Sequence, residues 1–454
     1  MKVESVSLLL LTYLTIGTAN RVYIHPFSLF GSGDISCEVV QPKQTPPLET
    51  IPSLPTIQES TEPDPHPEIE ELKNITQRTA VLAELQNSLG LRMYQTLSRK
   101  QADANVLLSP FNAFGTLVTL YLGTSEKTAV SYQQLLGLNW ETERPGCVYL
   151  IDGHTVLRTL QAINSLTDGP RDELKTLVWS FVNGDADLSK DFVRGMKDFS
   201  DASFVRAVNF SQPKEAEEQV NGFIQKTSGS KVENIFTDVS QSTNLLFASS
   251  VHYKGNWRTA FQPEQTTLQD FRIDEKSTVK VPLMTHAGDY MHLSDPGRKC
   301  SVVKLGLSKR TYMLLVLPHE GVRLQDIENQ LLTEVLSTWN RHLKKRYLEL
   351  SLPKFSMTAV TDLRSLLSDM AVEKYLLGSD ASFERLSTKK NFTVDKVINK
   401  VQFEMSEAGA EVQNQTRDDR DPLKVTVNRP FLFAIVEGNS NTILMLGKIL
   451  NPAV

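Results

Sequence analysis

The chain is poor in several features that would have marked a functional class. Only three of its 454 residues are cysteine, Cys37, Cys147 and Cys300. An odd count allows at most one internal bridge and leaves one thiol over, and composition does not choose the pair. There is no basic surplus: 48 lysines and arginines stand against 53 acidic residues, a net charge of −5, which argues against a nucleic-acid binder. No apolar run is long enough to span a bilayer; the N-terminal one, Val6 to Ile16, is too short. A phosphate loop, a nucleophile elbow and a zinc pair of the His-Glu-x-x-His kind are all missing. No catalytic residue, metal site or cofactor is expected, and the chain reads as a substrate rather than an enzyme.

What is present is an ordinary globular composition, 40% hydrophobic and 22% charged, with an unusual beginning. Lys2, the short apolar run and the small residues Gly17 and Ala19 have the layout of a secretory signal, residues 1–19, cut after Ala19. The expected product is secreted and extracellular. Four Asn-x-Ser/Thr tripeptides, at Asn74, Asn209, Asn391 and Asn414, agree with that route as glycosylation acceptors, although each alone is a weak match.

The mature chain would then open with NRVYIHPFSLF, Asn20 to Phe30. Prolines at 42, 46, 47, 52, 55, 63, 65 and 67 follow, with Thr, Glu, Ser and Gln between them. Such a run is an extended, partly polyproline linker, so residues 30–69 read as a tether and its free end as open to proteases. Leu29-Phe30 is a bulky apolar pair in a chain expected to be accessible. His25 has no second ligand at a metal-binding spacing. In an unfolded segment it has nothing to pack against, so a role in recognition by protease or receptor is expected.

The globular part starts near Glu70. Leu82, Leu85, Leu89, Met93 and Leu97 recur at helical spacing, weakened slightly by Gly90, and Asn112 to Leu122 reads as a second helix after Ser109-Pro110. Strands follow: Asn244 to Tyr253, Tyr312 to Leu317, the alternating Leu348, Leu350 and Leu352, and a hairpin of Phe431–Val436 and Thr442–Leu446 around Gly438-Asn439-Ser440-Asn441. Helices lead, strands follow, and no βαβ rhythm or internal repeat appears. The class is α+β.

Several blocks then resemble those of the serpins, in that family's order: NVLLSPFNAF at 105–114, NGFIQKTSGSK at 221–231, VHYKGNW at 251–257, LPKF at 352–355, RPFLF at 429–433 and the ending GKILNP at 447–452. The resemblance runs from about Glu70 to Pro452. It implies a serpin domain over 70–454, with three β-sheets, eight or nine helices and an exposed reactive loop at about 407–428.

An inhibitory serpin inserts that loop as a strand into its central sheet, which buries alternate side chains. Inhibitors resemble one another in a small, apolar hinge. Here the hinge reads EAGAEVQNQT, Glu407 to Thr416, and the charged run Arg417 to Asp421 follows. Burying an unpartnered amide costs about 1–3 kcal/mol, and a glycan on Asn414 is a bulky surface group. Both oppose insertion, so a non-inhibitory body is expected. The rival reading is an inhibitor of trypsin-like proteases baited by Arg417 or Arg420, against which stands ordinary solvated loop charge.

The N-terminal stretch is similar to the hormone segment carried by one non-inhibitory branch of that family, with Asn20 and Ser28 where the commonest form has Asp and His. That resemblance implies a renin-type aspartic protease cutting between Leu29 and Phe30 to free the decapeptide 20–29. A zinc dipeptidyl carboxypeptidase would then cut between Phe27 and Ser28, with Pro26 resisting further trimming. Arg21, Tyr23, His25 and the new Phe27 carboxylate would contact a G-protein-coupled receptor, and the octapeptide would raise blood pressure and retain salt and water. The same resemblance pairs Cys37 with Cys147. That bridge would close a loop worth about 4–5 kcal/mol of chain entropy and would leave Cys300 as a buried free thiol. The basic cluster Arg341, His342, Lys344, Lys345 and Arg346 reads as a solvated face rather than a glycosaminoglycan site. Transport of a small hydrophobic hormone is a third reading that leaves the N-terminus unexplained.

Overall fold

The computed structural model describes residues 25–32, 69–139, 150–167, 173–307, 310–411 and 421–453. The signal segment, Asn20, Arg21 and Tyr23, the linker from 33 to 68, Cys37, Cys147 and the run from 412 to 420, with Asn414, Arg417 and Arg420, lie outside them.

Ten α-helices are described, in chain order α1 (Pro26–Phe30), α2 (Ile69–Lys100), α3 (Pro110–Tyr121), α4 (Glu126–Leu136), α5 (Gly153–Thr167), α6 (Lys190–Phe199), α7 (Pro213–Thr227), α8 (Leu324–Glu328), α9 (Thr333–His342) and α10 (Leu363–Asp369). The stripe expected on α2 is there: Leu82, Leu89, Met93 and Leu97 are buried and Leu85 half-buried. Gly90, which weakens the helix as sequence, has a packing reason. A side-chain carbon at 90 would overlap Pro110, so glycine lets α2 and α3 approach closely. The hydroxyl of Ser109 accepts from the Asn112 amide at 3.1 Å and caps α3.

Fourteen strands are described: β1 (Val106–Leu108), β2 (Glu173–Asn183), β3 (Ala202–Val208), β4 (Leu245–Thr259), β5 (Thr267–Arg272), β6 (Thr278–Asp295), β7 (Cys300–Gly306), β8 (Thr311–Pro318), β9 (Lys344–Pro353), β10 (Met357–Asp362), β11 (Lys396–Glu411), β12 (Leu423–Thr426), β13 (Phe431–Glu437) and β14 (Thr442–Ile449). One sheet has five strands in the order β10-β11-β4-β2-β3. The other runs β1-β14-β13-β8-β7-β6-β9-β12, with β5 on β6. The family pattern of three sheets appears here as two hydrogen-bonded ones, because β6 is long enough to pair with β9 from Leu283 to His292 and with β7 from Met291 to Asp295. β13 and β14 pair antiparallel as the hairpin signal implies. Asn441 takes a positive φ of 59° in its turn, and the Glu437 carboxylate accepts from the Asn439 and Ser440 amides.

Phe355, Phe403 and Phe433 pack with ring centroids 5.2–5.4 Å apart, joining β11 of the five-stranded sheet to β13 of the other. A second core, built on Trp179, Phe181, Phe204, Phe223 and Phe236, lies between the five-stranded sheet and α7. The first residues of the expected reactive loop are strand: β11 stays parallel to β4 as far as Glu411 opposite Thr259. Cys300 is fully buried and free.

Candidate functional site

The segment expected to dangle is instead seated on the body. Pro26 to Phe30 forms one short helix, with proline at its first position, where the missing N–H costs nothing. His25 is half-buried, and its Nδ1 accepts from the Phe27 amide at 3.2 Å. The histidine left without packing by the sequence reading is therefore the N-cap of α1.

Leu29-Phe30 is held on both sides. The Phe30 side chain is only 1% exposed and belongs to the main core, and Phe27 and Leu29 pack against that core partly buried. The Leu29 carbonyl accepts from Arg78 Nε on α2 at 3.1 Å. The Phe30 carbonyl accepts from the Asp152 amide at 2.8 Å, and the Ser32 amide donates to the Leu150 carbonyl at 3.0 Å. Gly31 and Ile151 form an antiparallel bridge between these contacts. Gly31 is tight: an added Cβ would lie 2.7 Å from the Phe27 carbonyl oxygen and 2.8 Å from its ring. Ser28 alone of the helix is exposed.

The receiving side is itself braced. The Ile151 amide donates to the Tyr121 hydroxyl at 3.0 Å, and Gln133 donates to the same oxygen at 3.0 Å. Asp152 starts α5, with its carboxylate accepting from the Thr155 amide at 3.0 Å and hydroxyl at 2.6 Å. Burial raises the Asp152 carboxyl, but the Thr155 bonds and the charge of Arg158 outweigh it, and the group sits below the usual aspartate value.

The accessibility inferred for Leu29-Phe30 from the proline-rich linker therefore does not hold in this structure. An aspartic-protease cleft takes an extended peptide, whereas this peptide is helical, its Phe30 is in the core and its carbonyls are occupied. Arg78, Tyr121, Ile151 and Asp152 were invisible as site residues in the sequence. Arg78 lies on a helix with ordinary surface charges, and nothing local marks it.

Of the other expected positions, Asn209 and Asn391 are exposed, as a glycan requires, and Asn74 lies on α2. Arg341, His342, Lys344, Lys345 and Arg346 are exposed, with Lys345 paired to Asp289 at 3.1 Å, in keeping with a solvated face. No described helix is long and apolar enough to cross a membrane.

Comparison with known proteins matches residues 84–452 to the serpin (serine protease inhibitor) family model. Angiotensinogen of Bos taurus is 30% identical over 98% of this chain and 97% of its own length, and that of Homo sapiens 28% over 98% and 97%. Serpin A3-3 of Bos taurus is 30% identical but aligns with only 82% of this chain. Among solved structures, mouse protein-Z dependent protease inhibitor superposes with a TM-score of 0.74 at 26% identity, covering 83% of this chain and 99% of its own. Human thyroxine-binding globulin complexed with thyroxine gives 0.72 at 25%, covering 82% and 99%.

Proposed function

The chain belongs to the serpin family, and we propose that it is a secreted precursor of angiotensin-type peptides, whose serpin body is a non-inhibitory carrier. The observation that carries this reading is the extent of the similarity. The match to angiotensinogens takes in 98% of the chain, beyond residues 84–452, whereas a serpin such as Serpin A3-3 aligns with 82%. The serpin model begins only at residue 84, so the part of the chain beyond it is chiefly N-terminal, and that part carries RVYIHPF at 21–27.

In this reading renin cuts Leu29-Phe30 and frees Asn20 to Leu29, angiotensin-converting enzyme removes Ser28-Leu29, and the octapeptide acts on G-protein-coupled angiotensin receptors in control of blood pressure and salt balance. The docking of α1 adds a step. The protease must receive the segment extended, so Phe30 has to leave the core and Leu29 has to exchange Arg78 for the enzyme's donors. Moving a phenylalanine side chain from core to water costs about 1.5–3 kcal/mol, and binding in the cleft has to offset it. Cleavage is then governed by how readily the body releases α1. Cys37-Cys147 would tie the chain just beyond the scissile pair and tune that release.

The hinge supports the carrier role. Val412, Gln413, Asn414 and Gln415 replace the small residues of inhibitors. Insertion would also have to open the β11–β4 pairing, which runs from Lys396 to Glu411.

The test is incubation of the secreted protein with renin at neutral pH and mass analysis of the released peptides. One product with the mass of Asn20 to Leu29 supports the reading, and an intact tail overturns it. In parallel, a trypsin-like protease is mixed with the protein. A complex stable on a denaturing gel would revive the inhibitor baited by Arg417 or Arg420.

A further inference from the structure

Away from the docked tail, the end of β4 and residues of β6, β7 and β8 line a half-open cleft of about 400 Å³. Four aromatic residues stand in its lining: Trp257, Phe261, Tyr290 and Tyr312. Trp257 and Phe261 meet edge to face at 5.2 Å, and the Tyr290 hydroxyl is fixed by His286 Nδ1 at 2.8 Å. The cleft is thus a stiff slot with flat sides, within the size range of small-molecule sites.

The charge inside it is positive. Arg258, Lys304 and Arg310 line it, with one lining carboxylate among the described residues, Asp289, which takes Lys345 at 3.1 Å; Arg258, Arg310 and Asp289 each have other partners too. The Lys304 ammonium stands over the Tyr312 ring, 3.7 Å from its centroid, and donates to Asn340 Oδ1 at 3.1 Å; no carboxylate pairs with it among the described residues. Burial, and then the charge of Arg258, lower the Lys304 ammonium from the usual lysine value. An anion beside Lys304 would favour its charged form and so oppose both effects.

The second observation is independent of charge. Trp257 is 2% exposed, lines the cleft, and its indole Nε1–H has no acceptor among the described residues. A buried donor left without an acceptor is costly, and such donors are nearly always satisfied. An oxygen in the cleft would satisfy it.

We propose that the cleft between Trp257, Lys304 and Tyr312 binds a small aromatic anion, its ring against the tyrosine and tryptophan walls and its anionic head on Lys304 and the Trp257 N–H. The aromatic residues in the lining favour a ring over a bare phosphate, and the cations favour an anion over a neutral ring. A second cleft lies nearby between α2 and α9, lined by Glu84, Asn87, Ser337 and Asn340. It shares Tyr312 but neither Trp257 nor Lys304.

The test uses the full secreted chain and 8-anilinonaphthalene-1-sulfonate, followed by its fluorescence and by quenching of tryptophan emission, with neutral N-phenyl-1-naphthylamine as the uncharged counterpart. One saturable site is expected for the sulfonate, with the neutral probe bound at least about tenfold more weakly. Lys304→Met should weaken the sulfonate about tenfold or more. Gly306→Val keeps every charge, but its new side chain meets the Arg258 side chain and crowds the cleft. It should weaken both probes. Ser337→Trp, which fills the second cleft, should leave binding unchanged. Thermal melts check that each variant is folded. Equal affinity for the two probes, undiminished binding by folded Lys304→Met and Gly306→Val, or loss of binding in Ser337→Trp would each overturn the proposal.

Discussion

Arg78 Nε donates to the carbonyl oxygen of Leu29 at 3.1 Å, across 49 positions of sequence. The atom that an aspartic protease cutting Leu29-Phe30 would have to polarise is therefore already bonded to the body. Arg78→Ala removes this donor. A half-buried charged donor of this kind is worth about 1 kcal/mol. The expected outcome is an increase of about fivefold in the rate of renin cleavage at Leu29-Phe30, read from the initial release of the decapeptide, with little change in the melting temperature of the body.

Gly31→Val loosens the same segment without touching the scissile pair. The new side chain would overlap the Phe27 carbonyl and ring, a crowding that costs about 1–3 kcal/mol. Hydrogen exchange at the Asp152 amide, which now donates to the Phe30 carbonyl, should speed up along with cleavage. Faster exchange with an unchanged cleavage rate would mean that release of α1 does not limit the protease.

Glu328 is buried where α8 meets α2. Its carboxylate accepts from the Tyr94 hydroxyl at 2.7 Å and the Ser98 hydroxyl at 2.6 Å, with the buried Lys448 adding its charge nearby. Glu328→Ala takes the acceptor from two hydroxyls and a counter-charge from Lys448, which keeps its bonds to the Ser98 and Ala102 carbonyls, and should cost roughly 3 kcal/mol in urea unfolding. Glu328→Gln keeps an acceptor oxygen and should cost about 1 kcal/mol.

His286 and His292 lie on β6 with Nδ1 against the Tyr290 hydroxyl and Nε2 against the Ser301 hydroxyl. Burial lowers both imidazoles from the ordinary histidine value, and Arg346 lowers His292 further. The folded chain thus holds them neutral where the unfolded chain takes up protons, so stability rises with pH in that window. The urea midpoint should fall as pH drops below about 6.5, the ordinary histidine value. His292→Gln should flatten that slope.

Cys300 is free, and burial, then the charge of Asp295, push its thiol up to about 12. The thiolate is the reactive form, so iodoacetamide at pH 8 should leave Cys300 unmodified in the folded protein and label it on unfolding, as peptide mapping will report.

Much of the body was legible from local pattern. The leucines of α2, the Ser109-Pro110 start of α3 and the β13–β14 hairpin are written in spacings of one turn or one strand, and such signals survive folding because each element's own periodicity decides which face it buries. Gly90 misled slightly, since its reason, the close approach of Pro110, comes from another helix. His25 misled more. It caps α1 only because α1 forms, and α1 forms only where Phe30 has a core to enter.

The sequence by itself determined the serpin body and the hormone-like N-terminus, because these rest on residue types in a fixed order. Tertiary structure alone decided that Leu29-Phe30 is sheltered, that Arg78 holds it, and that Trp257, Lys304 and Tyr312 face one cleft. Those facts depend on contacts between residues tens to hundreds of positions apart. A run of prolines in sequence says nothing of whether the segment before it is free; that depends on the body it meets, and the body offers Phe30 a place in the core.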